Sequence, residues 1–308
     1  MQTTSPKVSI GLPVYNGEDY LKEAIDSILA QTYIDFELII TDNASTDRTA
    51  EICQAYAAQD KRIHYHRNPT NIGGANNHNL TVELSRGQYF RWAADDDLFA
   101  PTLLEKCVAA LDANPNIVLC YTKIVQIDEY GNRVKLLDRT FSSSDRPHER
   151  FWELSKLDHL CETIYGVIRT EVLRRTGLMR NYTDQDRTLL CHLSLLGKFH
   201  MIPEPLFYKR IHPGMSTNEF LGWRERMVWF DDANKDRITF PHWLQFFHYL
   251  EVIGDVAMPR SERLRCYLLM GRWLKYGKRW RKMMKDIYIA DKKIFKKINN
   301  NLLSNSYR

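Results

Sequence analysis

No stretch of the 308 residues approaches about 18 uninterrupted apolar residues, so a membrane-spanning helix is not expected. Glycine (14) and proline (11) are too scarce for a fibrous or low-complexity chain, and no internal repeat occurs. The opening MQTTSPKVSIGLPVYNG lacks a basic start followed by a long apolar run, so no secretory signal is expected. Six cysteines, scattered from Cys53 to Cys266, form no C-x-x-C pair and stand at no zinc-finger spacing from histidine. The simplest expectation is a reduced, cytoplasmic protein with its cysteines in the core and no structural metal cluster. No G-x-G-x-x-G follows a strand-like run and no G-x-x-x-x-G-K-[ST] exists, which removes the main support for a Rossmann dehydrogenase or a P-loop NTPase.

What is present is ordinary in amount and uneven in placement. With 44% hydrophobic and 26% charged residues, the chain is long enough for two domains, or one large α/β domain with an extension. The 43 basic and 38 acidic side chains give a net charge of +5. Yet Arg260 to Lys297 holds 14 Lys and Arg against three acids, a local +11 that leaves about −6 for the rest. An acidic body and a basic tail share one chain.

The first part of the chain alternates between two periodicities. Strands are expected at Lys7–Pro13, Phe36–Thr41, Arg62–His66, Gln88–Ala93 and Ile117–Gln126. Between them, apolar residues at helical spacing predict helices over Glu18–Gln31, Thr46–Ala58, Ala75–Ser85 and Pro101–Asn114. This β-α-β-α order implies a mostly parallel sheet flanked by helices. The alternation then breaks: a hairpin turn at Asp128–Asn132, a polar loop at Ser142–His148, helices near Glu149–Leu157 and Arg187–Leu196, an extended Phe199–Ile211, and helices from Gly222 onward.

Ligands of open parallel sheets bind beyond the carboxyl ends of the strands, so the residues after each strand carry the functional signal. They are Pro13-Val-Tyr15-Asn16-Gly17, Asp42-Asn-Ala-Ser-Thr-Asp47, Asn68-Pro-Thr-Asn71-Ile-Gly73-Gly74 and Ala94-Asp95-Asp96-Asp97. Turns are polar in any case, and no one of these is specific. Three adjacent carboxylates repel one another, and a hard divalent cation relieves that cost. The same acids could equally cap the helix begun by Pro101.

The segments PVYNGEDYLKEAIDSILAQTY, DFELIITDNASTD, NPTNIGGANNHNL and ADDDLFAPTLLEK, in that order, resemble the successive motifs of the family 2 glycosyltransferases. The resemblance continues through Asp186-Arg187 and Arg210-Ile-His212-Pro213 and spans about residues 6–216. It implies a GT-A fold and an inverting transferase that uses a nucleoside-diphosphate sugar, UDP-linked by default, with Mn2+ or Mg2+. Residues 1–216 would form the catalytic domain, with a nucleotide-sugar half at about 6–126 and an acceptor half at about 127–216. Residues 217–308 would form a helical, basic extension.

By the same resemblance, Pro13, Tyr15 and Asn16 would bound the base pocket and Asp42 would accept from the base, with Asn43 beside it. Asn71 and Gly73 would approach the ribose or diphosphate. The common D-x-D-D-x-x-x-P pattern, counted back from Pro101, places Asp96 and Asp97 on its final pair and Ala94 on its first acid. Asp96 is then the preferred metal ligand, with Asp97 and His212 in the same set, and Asp95 a ribose contact. Asp186 matches the catalytic base, with Asp184 two residues away as the alternative. Read by itself, Asp186 could also be a helix-start carboxylate facing the helix dipole.

In the tail, apolar residues from Trp273 to Ile298 recur every three or four positions with lysine and arginine between them. Such a helix suits an anionic membrane surface, and it equally suits packing on the catalytic body or on a second copy. The resemblance implies a glycan or lipid-linked acceptor in surface polysaccharide assembly, with the protein cytoplasmic or peripheral at the inner face of the cell membrane. Nucleic acid is not an expected partner, because no recognition module accompanies the charge. The competing readings are a sugar-phosphate nucleotidyltransferase, whose Gly-rich basic loop is missing from GLPVYNGEDY, and a non-catalytic nucleotide- or partner-binding protein on the same fold.

Overall fold

The computed structural model describes residues 5–138, 140–141, 143–156, 161–182, 184–215, 227, 237 and 239–305, with side chains described as far as residue 292. Most of the helical stretch expected from Gly222 to residue 238 lies outside the described residues, as do Ser142 and Leu157 at the edges of two expected elements.

β-Branched and apolar residues dominate the early strands. β1 (Val8–Val14), β2 (Phe36–Asp42) and β4 (Tyr89–Trp92) are buried along their whole length, whereas β3 (Ile63–Arg67) is buried only at Ile63. A strand buried at every position needs cover on both faces. α1 (Leu21–Leu29), α2 (Thr49–Gln59), α3 (Gly74–Leu84) and α4 (Leu103–Ala113) contribute to that cover. α1 buries Leu21, Ala24, Ile25 and Ile28, the i, i+3, i+4, i+7 stripe of an amphipathic helix. Each fully buried side chain of this size contributes about 1.5–3 kcal/mol of hydrophobic stabilisation. The two faces of β4 feed two cores: Tyr89 and Ala93 join one with Ile10, Ile25 and Leu104, while Phe90 and Trp92 join the other.

β1, β2 and β3 pair in parallel and β4 joins β1 in parallel from the other side. Their carboxyl ends therefore share one edge of the sheet. The second half adds β5 (Leu98–Phe99), β6 (Ile117–Ile127), β7 (Arg133–Leu137), β8 (Val167–Arg169) and β9 (Lys198–Arg210). The order is β3-β2-β1-β4-β8-β6-β9-β5, with β7 on the side of β6. The expected mostly parallel sheet is present, with short antiparallel strands β5, β7 and β8 added to it. β9 runs parallel to β6, and its register slips where Thr122–Lys123 faces Ile202–Pro205. Pro203 and Pro205 have no N–H for the ladder, so the break falls where they stand.

α5 (Pro147–Ser155), α6 (Thr170–Leu173) and α7 (Gln185–Leu196) cover the second half. The chain ends in α8 (Pro241–Asp255), α9 (Arg260–Lys275) and α10 (Arg279–Asn305). Tyr249, Cys266, Met270, Trp273 and Met283 of these helices enter the same core as Phe151 and Leu189. The Trp273 indole N–H donates to the Ser155 carbonyl at 3.0 Å, and the Trp243 indole to that of Met283 at 3.0 Å. One face of the basic extension thus packs on the body.

Candidate active site

The turn after β1 is stitched to the turn after β2. Ser45 Oγ accepts from the Asn16 N–H at 3.0 Å, and Asn16 Oδ1 accepts from the Thr46 N–H at 2.8 Å. Pro13 lies beside Thr41 in the parallel register, and Tyr15 follows with 49% of its surface exposed, a ring free to stack on a planar ligand. Gly17 is buried, and a Cβ there would stand 2.1 Å from Asp95 Oδ2. Glycine is what lets the β1 turn approach the aspartate run. Asp47 Oδ1 accepts from the Thr49 N–H at 3.0 Å, which satisfies one free donor at the start of α2.

Asp42 has no accessible surface. Its Oδ1 accepts from the Ser45 N–H and its Oδ2 from the Tyr65 hydroxyl, both at 2.8 Å. Both oxygens thereby organise the turn. Asn43 donates to Asn71 Oδ1 at 2.8 Å and accepts from the Ile72 N–H at 2.9 Å, while Asn71 Oδ1 also accepts from the Gly73 N–H. The loop that opens α3 is thereby fastened to the β2 turn. Gly73 sits at φ +86°, a conformation that suits glycine.

The aspartate run is placed by β5. Pairing of Leu98 with Tyr208 and Phe99 with Phe207 lays the preceding acids alongside the end of β9. Asp97 is buried, and its Oδ1 accepts from the Arg210 N–H at 2.9 Å. Asp96 Oδ2 stands 3.0 Å from His212 Nε2. Arg210 itself is buried: its Nε donates to the Asp96 carbonyl at 3.0 Å, Nη1 to the Glu129 carbonyl at 3.0 Å, and Nη2 to Glu23 at 2.6 Å. Its guanidinium lies over the Tyr20 ring, which also touches the His212 imidazole. Burial, then the Asp96 charge, pushes Asp95 up to about 7, and the same two causes hold Asp97 well above the carboxylate range. The hydrogen bond to Asp96 raises His212, against the effect of burial.

Asp96 Oδ2 and His212 Nε2, side by side at 3.0 Å, are the residues that would hold a divalent cation, whose preference for hard oxygen the carboxylate meets. Among the described residues no three His, Cys, Asp or Glu side chains converge as a ready ligand cluster. Asp96 and His212 lie side by side, and the Asp97 Oδ1 next to them is held by the Arg210 amide.

α7 supplies the remaining acids. Asp184 precedes it in the left-handed region, at φ +65°, and Asp186 is in its first turn. Burial, then the Asp184 charge, raises Asp186, while Arg187, its own N–H and the Cys161 thiol oppose the rise. Burial, and after it the Asp97, Asp96, Asp186 and Asp95 carboxylates, hold the Tyr165 phenol well above the ordinary range. Tyr165 and Tyr65 were not singled out in the sequence, and Gly17 and Arg210 were given no role there. Arg210 stood in a quoted motif; Tyr165 lies in a short 3-10 turn, Glu162–Tyr165, that has no periodicity to reveal it.

Two solved structures share this arrangement of elements. S. aureus TarS 1–349, in complex with UDP, superimposes with a TM-score of 0.58 at 16% identity, over 94% of this chain and 91% of that one. The mannosyltransferase PcManGT from Pyrobaculum calidifontis, in complex with GDP-Man and Mn2+, does so with a TM-score of 0.53 at 17% identity, over 94% and 87%. The fold is the GT-A type of the glycosyltransferases. The sequence is also 31% identical over 225 residues to an uncharacterized glycosyltransferase of Rickettsia typhi, covering 71% of this chain and 68% of that protein. It is 39% identical over 216 residues to one of Methanocaldococcus jannaschii, covering 67% and 71%. The glycosyl transferase family 2 model matches residues 9–177, and the chain belongs to that family.

Proposed function

We propose that the chain is an inverting glycosyltransferase that moves a sugar from a nucleoside-diphosphate sugar, foremost a UDP-sugar, to a hydroxyl of a glycan or lipid-linked acceptor in surface polysaccharide assembly. Residues 1–216 form its catalytic part and 217–308 an extension that contains α8, α9 and α10. The observation that carries this reading is the aspartate run at the carboxyl edge of the sheet, where Asp96 Oδ2 stands 3.0 Å from His212 Nε2 and Gly17 lets the β1 turn approach Asp95. An acid beside a histidine and an acid at the start of α7 supply two roles.

Tyr15 stacks on the base, and the Asn16–Ser45 and Asn43–Asn71 bonds hold the two turns that enclose it. Asp95, behind Gly17, meets the ribose. Asp96 and His212 would hold a divalent cation, which would supply neutralisation of the charge on the leaving nucleoside diphosphate. Asp186 takes the proton of the acceptor hydroxyl while that oxygen attacks the anomeric carbon. The bond to the diphosphate breaks on the opposite side, so the configuration inverts. Stabilising the departing diphosphate is the largest contribution, since that is where charge develops.

The test is turnover of UDP-, dTDP- and GDP-sugars with Mn2+, reading nucleoside-diphosphate release and the product anomer by NMR. Turnover with an inverted anomer is expected. Nucleotide binding without turnover across the panel would leave a binding protein on this fold, and a retained anomer would remove the base role of Asp186.

A further inference from the structure

We infer that the outer face of α9 and α10 is a docking surface for an anionic lipid bilayer, on which the protein lies without crossing it. Each helix has an inner stripe spent on the body. Cys266, Met270 and Trp273 of α9, at i, i+4 and i+7, are buried, as are Met283, Asp286 and Ala290 of α10 at i, i+3 and i+7. A helix that only packs on the body needs no further apolar residues. Yet Leu264 and Leu268, and Trp280, Met284, Ile287 and Tyr288, stand outside those stripes with 42–67% of their surface exposed. In α10 the exposed set recurs at i, i+4, i+7 and i+8, a second face of one helix. A cluster of this kind marks an interaction site where single exposed apolar residues would not.

The charge around it specifies the partner. Of the three acids between Arg260 and Lys297, Glu262 and Asp286 are turned inward, onto His148 Nδ1 at 2.6 Å and His242 Nδ1 at 3.0 Å. Asp291 is the one exposed acid among the described side chains of this stretch. Arg272, Lys275, Lys278, Arg281, Lys285 and Lys292 are exposed beside the apolar face. Two of these cations lie against its aromatic rings, Arg281 at 5.2 Å from the Trp280 centroid and Lys292 at 4.7 Å from that of Tyr288. Aromatic and aliphatic groups interleaved with cations match an anionic headgroup layer over hydrocarbon. Nucleic acid would take the charge and leave the aliphatic side chains unpaired. A second copy would bring its own basic face against this one, which like-charge repulsion disfavours. Among the described residues no helix is long and apolar enough to cross a membrane, so the contact is a surface one.

This face is independent of the transfer chemistry, and flotation of the full chain with vesicles reads it without turnover. Vesicles containing phosphatidylglycerol should capture the protein at least about tenfold more than pure phosphatidylcholine vesicles, and added salt should weaken the capture. The double variant W280S/Y288S should lower capture about tenfold. Val134→Ser, which removes an exposed apolar side chain on β7, should leave it unchanged. Equal capture by both vesicle types, or undiminished capture of W280S/Y288S, would overturn the proposal. So would a native dimer in solution that W280S/Y288S converts to monomer, because the face would then belong to a second copy.

Discussion

Ala44 adopts φ +62° in the turn after β2, where an L-residue with a Cβ is strained and the bond from Ser45 to Asp42 holds it in place. Such strain persists where the turn must keep one shape, here the shape that joins Asp42 and Asn43 to the β1 turn. Ala44→Gly should therefore raise stability by about 1 kcal/mol in urea unfolding; a loss would mean that the turn is unstrained. Asp186 is tuned in a different way. Its carboxyl is raised first by burial and next by Asp184, so it holds its proton at pH values where an ordinary aspartate, with a pKa of about 3.9, has released it. A base must be ionised to act. The rate should then fall on the acid side through a limb above the ordinary carboxylate range, and recover as pH rises. Asp184→Asn removes one cause of the rise and should move that limb to lower pH with activity retained. Abolished activity would instead make Asp184 the base.

Among the elements, β9 and its extension do the most to assemble the site. One two-residue strand, β5, pairs with β9 and sets Asp96 beside His212, and Arg210 ties the junction to α1 and to the β6–β7 turn. Arg210→Met should cost about 2–4 kcal/mol, since it strands the Asp96 and Glu129 carbonyls and breaks a charge pair whose Glu23 end is exposed. Urea unfolding checks the cost, and a loss of donor affinity should accompany it. The long elements were legible in the sequence because α1 and β1 carry strong periodicities of 3.6 and 2. β5 and β8, two and three residues long, have no period to read and exist only through their partners. The candidate acids at strand ends were legible for the related reason that they follow readable strands. The strut Arg210, the hydroxyl of Tyr65 on Asp42 and the position of Tyr165 depend on contacts between distant segments, which no local pattern records.

Over the whole molecule, the +5 net charge conceals a division that the fold makes physical. The basic extension packs one face into the core beside α5 and α7 and turns a cationic, apolar face outward, while the acids gather at the carboxyl edge of the sheet. The central claim is that Asp96 and Asp186, brought to one site from opposite ends of it, hold the donor and activate the acceptor. Nucleotide calorimetry and sugar-transfer rates of the native protein, Asp96→Ala and Asp186→Asn test it most directly. The account predicts that Asp186→Asn binds the donor nucleotide as the native protein does but loses about 10²–10⁴-fold in rate, whereas Asp96→Ala loses nucleotide affinity in the presence of Mn2+ as well as rate. Native rates in both variants would contradict it.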